Sequence, residues 1–154
     1  MTVFVDMDGV LADFDQHHEN IFGVRPDRVA DNVDWNAVRS VKDFFLHIPP
    51  MKDMTELWDF IKPLKPIVLT GIPSPKHKVS GAADNKLAWI KRHLGDGVEV
   101  RCVLSKEKHM HAGPGDVLID DWDRYRDLWL AKGGRWITHT SAASTIKRLR
   151  EISP

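Results

Sequence analysis

Short apolar runs along this chain break off at acidic or hydroxyl-bearing turns. Thr2-Val3-Phe4-Val5 ends at Asp6-Met7-Asp8-Gly9. Pro66-Ile67-Val68-Leu69 ends at Thr70-Gly71, and Asp116-Val117-Leu118-Ile119 ends at Asp120-Asp121. Val98 to Leu104 and Arg135 to Thr138 are two further candidates. Apolar runs without polar alternation predict strands covered on both faces, as in a parallel sheet.

Between the runs the period becomes helical. Met54 to Leu64 places Leu57, Trp58, Ile61 and Leu64 on one stripe. Asp84 to Leu94 carries Leu87, Ile90 and Leu94 before a stop at Gly95. Asp123 to Lys132 carries Tyr125, Leu128 and Trp129 and stops at Gly133-Gly134. Ser141 is placed to cap a last helix that holds Ile146 and Leu149. Strands alternating with helices predict an α/β fold with a mainly parallel sheet.

Residues 16–50 break this rhythm. They hold Trp35, Phe44-Phe45 and a Pro49-Pro50 stop. An excursion of this length is rarely an idle loop. It predicts a small, mostly helical cap inserted after the first strand, with residues 1–15 and 51–154 forming the core.

Composition narrows the class. The 154 residues fit one compact domain with a small insertion. Hydrophobic residues at 42% and charged residues at 29% predict a soluble globule. Formal net charge is +0, which argues against broad, sequence-independent nucleic-acid binding and leaves a local basic pocket open. No apolar run reaches ~18 residues, and no basic segment leads into a long apolar stretch near the start, so the expected location is cytoplasmic, with no membrane partner. The single cysteine, Cys102, lies in an apolar run and is expected as a buried structural thiol. A homodimer is left open.

The chemistry gathers at the predicted strand ends, where open α/β sheets bind ligands. Asp6, Asp8, Thr70, Gly71, Asp120 and Asp121 each follow an apolar run directly. Carboxylates this dense repel one another without a cation, and a hard divalent ion such as Mg²⁺ relieves that repulsion. Gly9 permits the sharp turn out of the first strand. An isolated D-x-D-G would read as a plain turn; the ordered set of strand ends gives it its weight.

The stretch Asp6-Met7-Asp8-Gly9-Val10-Leu11-Ala12-Asp13-Phe14 resembles the first motif of phosphatases of the haloacid dehalogenase (HAD) superfamily. In this form it resembles the 5′(3′)-deoxyribonucleotidase family. Leu69-Thr70-Gly71 is similar to the second motif, Leu104-Ser105-Lys106-Glu107-Lys108 to the segment with the third-motif lysine, and Leu118-Ile119-Asp120-Asp121 to the acidic fourth motif. Phe44-Phe45 before Pro49-Pro50 resembles the cap's return to the core, and Lys86-Leu87-Ala88-Trp89 the helix after the second motif. The likeness covers about residues 2 to 125. Gly71 stands where the family often has serine.

The resemblance implies a Rossmann-like HAD core and a Mg²⁺-dependent phosphomonoesterase acting on nucleoside monophosphates, with a preference for deoxyribonucleotides. It makes Asp6 the nucleophile and Asp8 the acid and base. It gives Mg²⁺ to Asp6, the Asp8 carbonyl and Asp121, with Asp120 ligating or orienting the ligands. It gives the phosphoryl oxygens to Thr70, the Gly71 amide and Lys108, with Lys106 as the alternative lysine. Phe14, Phe45 and Trp35 are candidates to stack on a base, with cap core as the other reading of each. Lys86 divides evenly between a solvated helix face and support for the acids. Asp13 reads as a helix start, Trp58, Trp89 and Trp129 as packing, His109 and His111 as neutral loop residues, and Lys147-Arg148-Leu149-Arg150 as a solvated helix face. Two other functions stay open: a HAD phosphatase for another small phosphoester or a polynucleotide 3′-phosphate end, and a catalytically idle nucleotide-binding module.

Overall fold

The computed structural model describes residues 1–27 and 32–152. Five parallel strands form one sheet: β1 (Val3–Val5), β2 (Ile67–Gly71), β3 (Val100–Val103), β4 (Val117–Asp120) and β5 (Arg135–Thr138). Their spatial order is β3-β2-β1-β4-β5. β1 pairs with β2 through Phe4–Ile67 and Val5–Val68, and with β4 through Val3–Val117 and Val5–Ile119. The order of connection reverses at β1, and that reversal opens a crevice beyond the carboxyl ends of the strands.

Alternation of side chains divides the sheet's packing. Val3, Val5, Val68, Val117, Ile119 and Ile137 join the larger apolar cluster. Helices α3 (Met54–Ile61), α4 (Ala82–Leu94) and α6 (Ala142–Ile152) contribute to that cluster. Phe4, Leu69, Leu118 and Trp136 join a smaller cluster with Trp129 of α5 (Arg126–Leu130). Both faces are covered, as the unbroken apolar runs predict.

The 16–50 segment carries α1 (Phe14–Phe22), α2 (Trp35–Ser40) and a 3₁₀ turn at Phe44–His47. The helix that opens the excursion therefore begins at Phe14, with Asp13 as its cap: the Asp13 carboxylate accepts the Gln16 amide at 3.2 Å. Phe14, Val38, Phe44, Phe45 and Ile48 are buried in the same cluster as the sheet. The chain returns beside its exit: Asp13 N–H donates to Pro49 O, and Met51 N–H to Leu11 O, both at 2.8 Å. Trp89 of α4 ties this return to the core through Nε1–H to Ile48 O at 2.7 Å.

Several local expectations are corrected. Leu64, Leu87 and Leu128 are exposed rather than core-facing. The stripe of α3 ends at Ile61 because a 3₁₀ turn with a proline follows at Lys62–Leu64. In α4 the buried face runs through Lys86, Trp89 and Ile90, so Leu87 points outward. Leu128 is displaced because a 3₁₀ turn at Asp123–Tyr125 precedes a five-residue α5. Cys102 is half-buried, because it lies on β3 at the edge of the sheet. Trp58, Trp89 and Trp129 are buried packing residues, and Ser141 Oγ accepts the Ser144 amide at the start of α6.

Candidate active site

Three strand ends and one 3₁₀ helix meet at the crevice. β1 delivers Asp6 and Asp8, β2 delivers Thr70 and Gly71, and β4 delivers Asp120 and Asp121. The 3₁₀ helix Ser105–His111, between β3 and β4, delivers Lys108. Asp6, Asp8, Gly71, Lys108 and Asp120 border a cavity of about 320 Å³, which Ser105 also lines, and Thr70 is buried beside Gly71.

Asp6 is almost buried. Its Oδ1 accepts from the Met7 amide at 2.8 Å and from Lys108 Nζ at 3.0 Å. No hydrogen bond engages Oδ2 among the described residues. One carboxylate oxygen is thus anchored, and the other is free to react or bind a cation.

Lys108 also meets Asp120 Oδ2 at 2.7 Å, and Asp120 Oδ1 accepts the Trp122 amide at 2.9 Å. Burial alone would lower the Lys108 pKa; the carboxylates of Asp120 and Asp6 outweigh it and hold the ammonium charged. Burial pushes the Asp120 carboxyl up to about 7, with the charges of Asp6 and Asp121 in the same direction and Lys108 against them. Lys106 is exposed, so the structure brings Lys108, not Lys106, to the acids.

Lys86 lies at the centre of a second set. Its side chain is wholly buried. Nζ donates to Asp8 Oδ2 at 2.8 Å, Thr70 Oγ1 at 3.0 Å and Gly71 O at 2.6 Å. An ammonium has three donors, and all three are used. The Phe45 ring covers it, 4.8 Å from Nζ to the centroid. Lys86 therefore supports the acidic site and does not lie on a solvated face. The Asp8 Oδ1 atom is buried without a hydrogen-bond partner among the described residues.

The two sets explain the strand ends. Thr70 shares the face of Val68, where α4 brings Lys86. The amides of Val68 and Ile72 donate to Glu99 O and Val103 O on the β3 side. Alternation along the strand turns the Gly71 amide the other way, toward β1 and Asp8.

Oxygens of Asp6, Asp120 and Asp121 lie within 4.8 Å of one another. Ligand oxygens around Mg²⁺ are roughly 3 Å apart when adjacent and about 4.2 Å when opposite, given ~2.1 Å bonds. With Asp8 there are four carboxylates against Lys86 and Lys108. When all are ionised the set carries two surplus negative charges, which one divalent cation balances.

Of the aromatic candidates, Phe14 and Phe45 border the cavity but are buried. Trp35 is half-buried and stacks on His77, with centroids 5.1 Å apart and planes 28° from parallel. Trp122 and Tyr125 also line the cavity. They fall outside the expected set, although Trp122 follows the acidic strand end directly. His109 borders the cavity, and His111 pairs with Arg101 at 3.1 Å.

The chain is similar to several known proteins. The family described as 5′ nucleotidase, deoxy (pyrimidine), cytosolic type C matches residues 1–144. The human 5′(3′)-deoxyribonucleotidase of cytosolic type is 30% identical over 149 residues, covering 80% of this chain and 72% of that protein. A hydrolase from Streptococcus pneumoniae TIGR4 superposes with a TM-score of 0.55 at 13% identity, covering 97% of each chain. L-2-haloacid dehalogenase from Xanthobacter autotrophicus also gives 0.55, at 14% identity, over 99% of this chain and 84% of that one. These two likenesses establish the HAD-type, Rossmann-like fold.

Proposed function

The chain belongs to the cytosolic type C 5′-nucleotidase family, and from that membership we propose that it is a Mg²⁺-dependent phosphatase of nucleoside monophosphates, with deoxyribonucleotides preferred. The observation that carries this reading is that two acids, two residues apart, are held by different lysines. Asp6 is bound by Lys108 at 3.0 Å and Asp8 by Lys86 at 2.8 Å. Separate partners hold the two acids in separate positions, as two distinct roles require.

In the first step an oxygen of Asp6 attacks phosphorus and the bond to the leaving oxygen breaks. Asp8 gives that oxygen its proton, and an aspartyl-phosphate remains. In the second step Asp8 takes a proton from water, the water oxygen bonds to phosphorus, and the acyl-phosphate bond breaks to free Asp6 and phosphate. Thr70, the Gly71 amide and Lys108 hold the non-bridging oxygens, where charge spreads during transfer. Lys86 holds Asp8 toward the leaving oxygen. Asp6, Asp121 and the Asp8 carbonyl would hold Mg²⁺, with Asp120 fixed behind them by Lys108. When bound, the ion supplies positive charge against the phosphoryl group.

The base would rest against Trp35, backed by Phe14 and Phe45, and the 16–50 segment would act as a cap over the sugar and base. No helix among the described residues is long and apolar enough to cross a membrane. A cytosolic location, as in the human relative's name, is part of the same reading.

The test is phosphate release from deoxy- and ribonucleoside 5′- and 3′-monophosphates, with Mg²⁺ and with EDTA, with Asp6→Asn as control. Mg²⁺-dependent turnover that is lost in the variant and that prefers one sugar or base supports the nucleotidase. Turnover of a generic phosphoester alone keeps the chemistry and removes the substrate assignment. Tight nucleotide binding without turnover supports an idle binding module.

A further inference from the structure

Gly71 is not needed for its backbone conformation, because it is absent from the glycines with positive φ. What it leaves is space. A Cβ built at position 71 would collide with the Ser105 hydroxyl oxygen and lie 3.4 Å from Ser105 Cβ. The Ser105 hydroxyl therefore occupies the volume in which a side chain at position 71 would begin.

Ser105 opens the 3₁₀ helix that carries Lys108. In that geometry residues i and i+3 eclipse. Ser105 and Lys108 therefore share one side of the helix. Lys108 reaches Asp6 and Asp120. Ser105 lies one turn earlier, against Gly71, and both border the cavity. Ser105 is half-buried, and its hydroxyl makes no hydrogen bond among the described residues. Thr70 Oγ1 accepts from Lys86 on the other face of β2, which leaves its own O–H to donate.

From this juxtaposition we propose that Ser105 is a phosphate-binding residue whose O–H donates to a non-bridging phosphoryl oxygen, alongside Thr70 and Lys108. The inference rests on the phosphatase reading of the same cavity. It makes Gly71 and Ser105 a matched pair: the missing side chain on the strand makes room for the hydroxyl from the helix.

The experiment measures binding of inorganic phosphate by calorimetry in Mg²⁺ buffer, together with KM and kcat for the best nucleotide substrate. Wild type is compared with Ser105→Ala, with Ser105→Cys (similar shape, weak donor) and with the exchange Gly71→Ser plus Ser105→Gly. The expected result is about 10-fold weaker phosphate binding in the Ala and Cys variants, the size of one lost hydrogen bond to a charged group. KM should rise in parallel and the unfolding midpoint should stay put. The exchange should restore phosphate affinity to within about threefold, because it returns one hydroxyl to the same volume.

Unchanged phosphate affinity in both the Ala and Cys variants would overturn the proposal. So would loss in the Ala variant with full retention in the Cys variant, which would mark a role in packing. A wild type that binds phosphate but hydrolyses no nucleotide, with the Ser105 dependence intact, would sink the substrate assignment and leave Ser105 in place. A wild type that binds no phosphate would overturn both.

Discussion

Lys86 and Asp8 face each other across 2.8 Å beside the cavity, the lysine side chain wholly buried and the aspartate side chain 18% exposed. The lysine's other two donors are committed to Thr70 and Gly71. Removing it leaves the partly buried Asp8 carboxylate without its cation, and Thr70 and Gly71 without their donor. Lys86→Met should lower stability by about 3–5 kcal/mol in urea unfolding. It should also reduce kcat by roughly 10²-fold through lost orientation of Asp8. A variant with wild-type stability and turnover would show that Asp8 is held by something else.

Lys108 offers a sharper contrast, because Lys106 lies two residues away and is exposed. Lys108→Ala should cut kcat/KM by about 10³-fold, since it removes the cation shared by Asp6 and Asp120. Lys106→Ala should change it by less than about threefold. The reverse ranking in steady-state kinetics would reassign the phosphate-binding lysine.

Mg²⁺ should stabilise the fold as well as support turnover. At a concentration 100 times its Kd, a ligand that binds only the native state adds about 2.7 kcal/mol. Differential scanning calorimetry should therefore show Tm rising with Mg²⁺ and returning to baseline with EDTA. Asp121→Asn should flatten that response. A response unaltered by this substitution would place the ion elsewhere.

Acid should loosen the 16–50 segment before it disturbs the sheet. His17 contacts Phe44 O through Nε2 at 3.0 Å. Burial lowers its pKa from 6.5; His47 and His18 add to that, while the Phe44 carbonyl and Asp8 oppose it. The native state therefore holds His17 neutral, and the unfolded chain binds the extra proton. Stability from this source is full above about pH 6.5 and is lost as pH falls from there through the lowered native value. His17→Gln keeps a donor and removes the titration, so its Tm should fall less between pH 7 and pH 5. Parallel Tm profiles would exclude His17 as the cause.

Sequence made the strand ends legible because each apolar run stops abruptly at a polar residue. Asp6, Thr70 and Asp120 could be placed at one crevice once the sheet was read as parallel. Asp13 could be placed because capping is local chemistry. Lys86 could not be resolved, since a lysine on a helix between apolar positions reads the same whether it faces water or a buried acid. Its depth depends on how α4 sits against β2, which is a tertiary fact. Trp122 and Tyr125 were obscured for a similar reason: helical spacing assigned Tyr125 to a stripe that the 3₁₀ turn at Asp123–Tyr125 interrupts. Ser105 precedes Lys108 by three residues, yet only three-dimensional contact with Gly71 gives it a role.

The position of β1 between β2 and β4 bears on how the molecule comes into being. The Thr2 amide donates to the Asp116 carboxylate across 114 residues of chain. During synthesis one edge of Val3–Val5 can pair with β2, but the other must wait until Val117–Ile119 has left the ribosome. Pairing so distant in sequence forms slowly. Fragments that end before β4 cannot gather the carboxylates. Catalytic competence and completion of the sheet are therefore one event, so a half-made chain is silent rather than a weakly active, unregulated phosphatase.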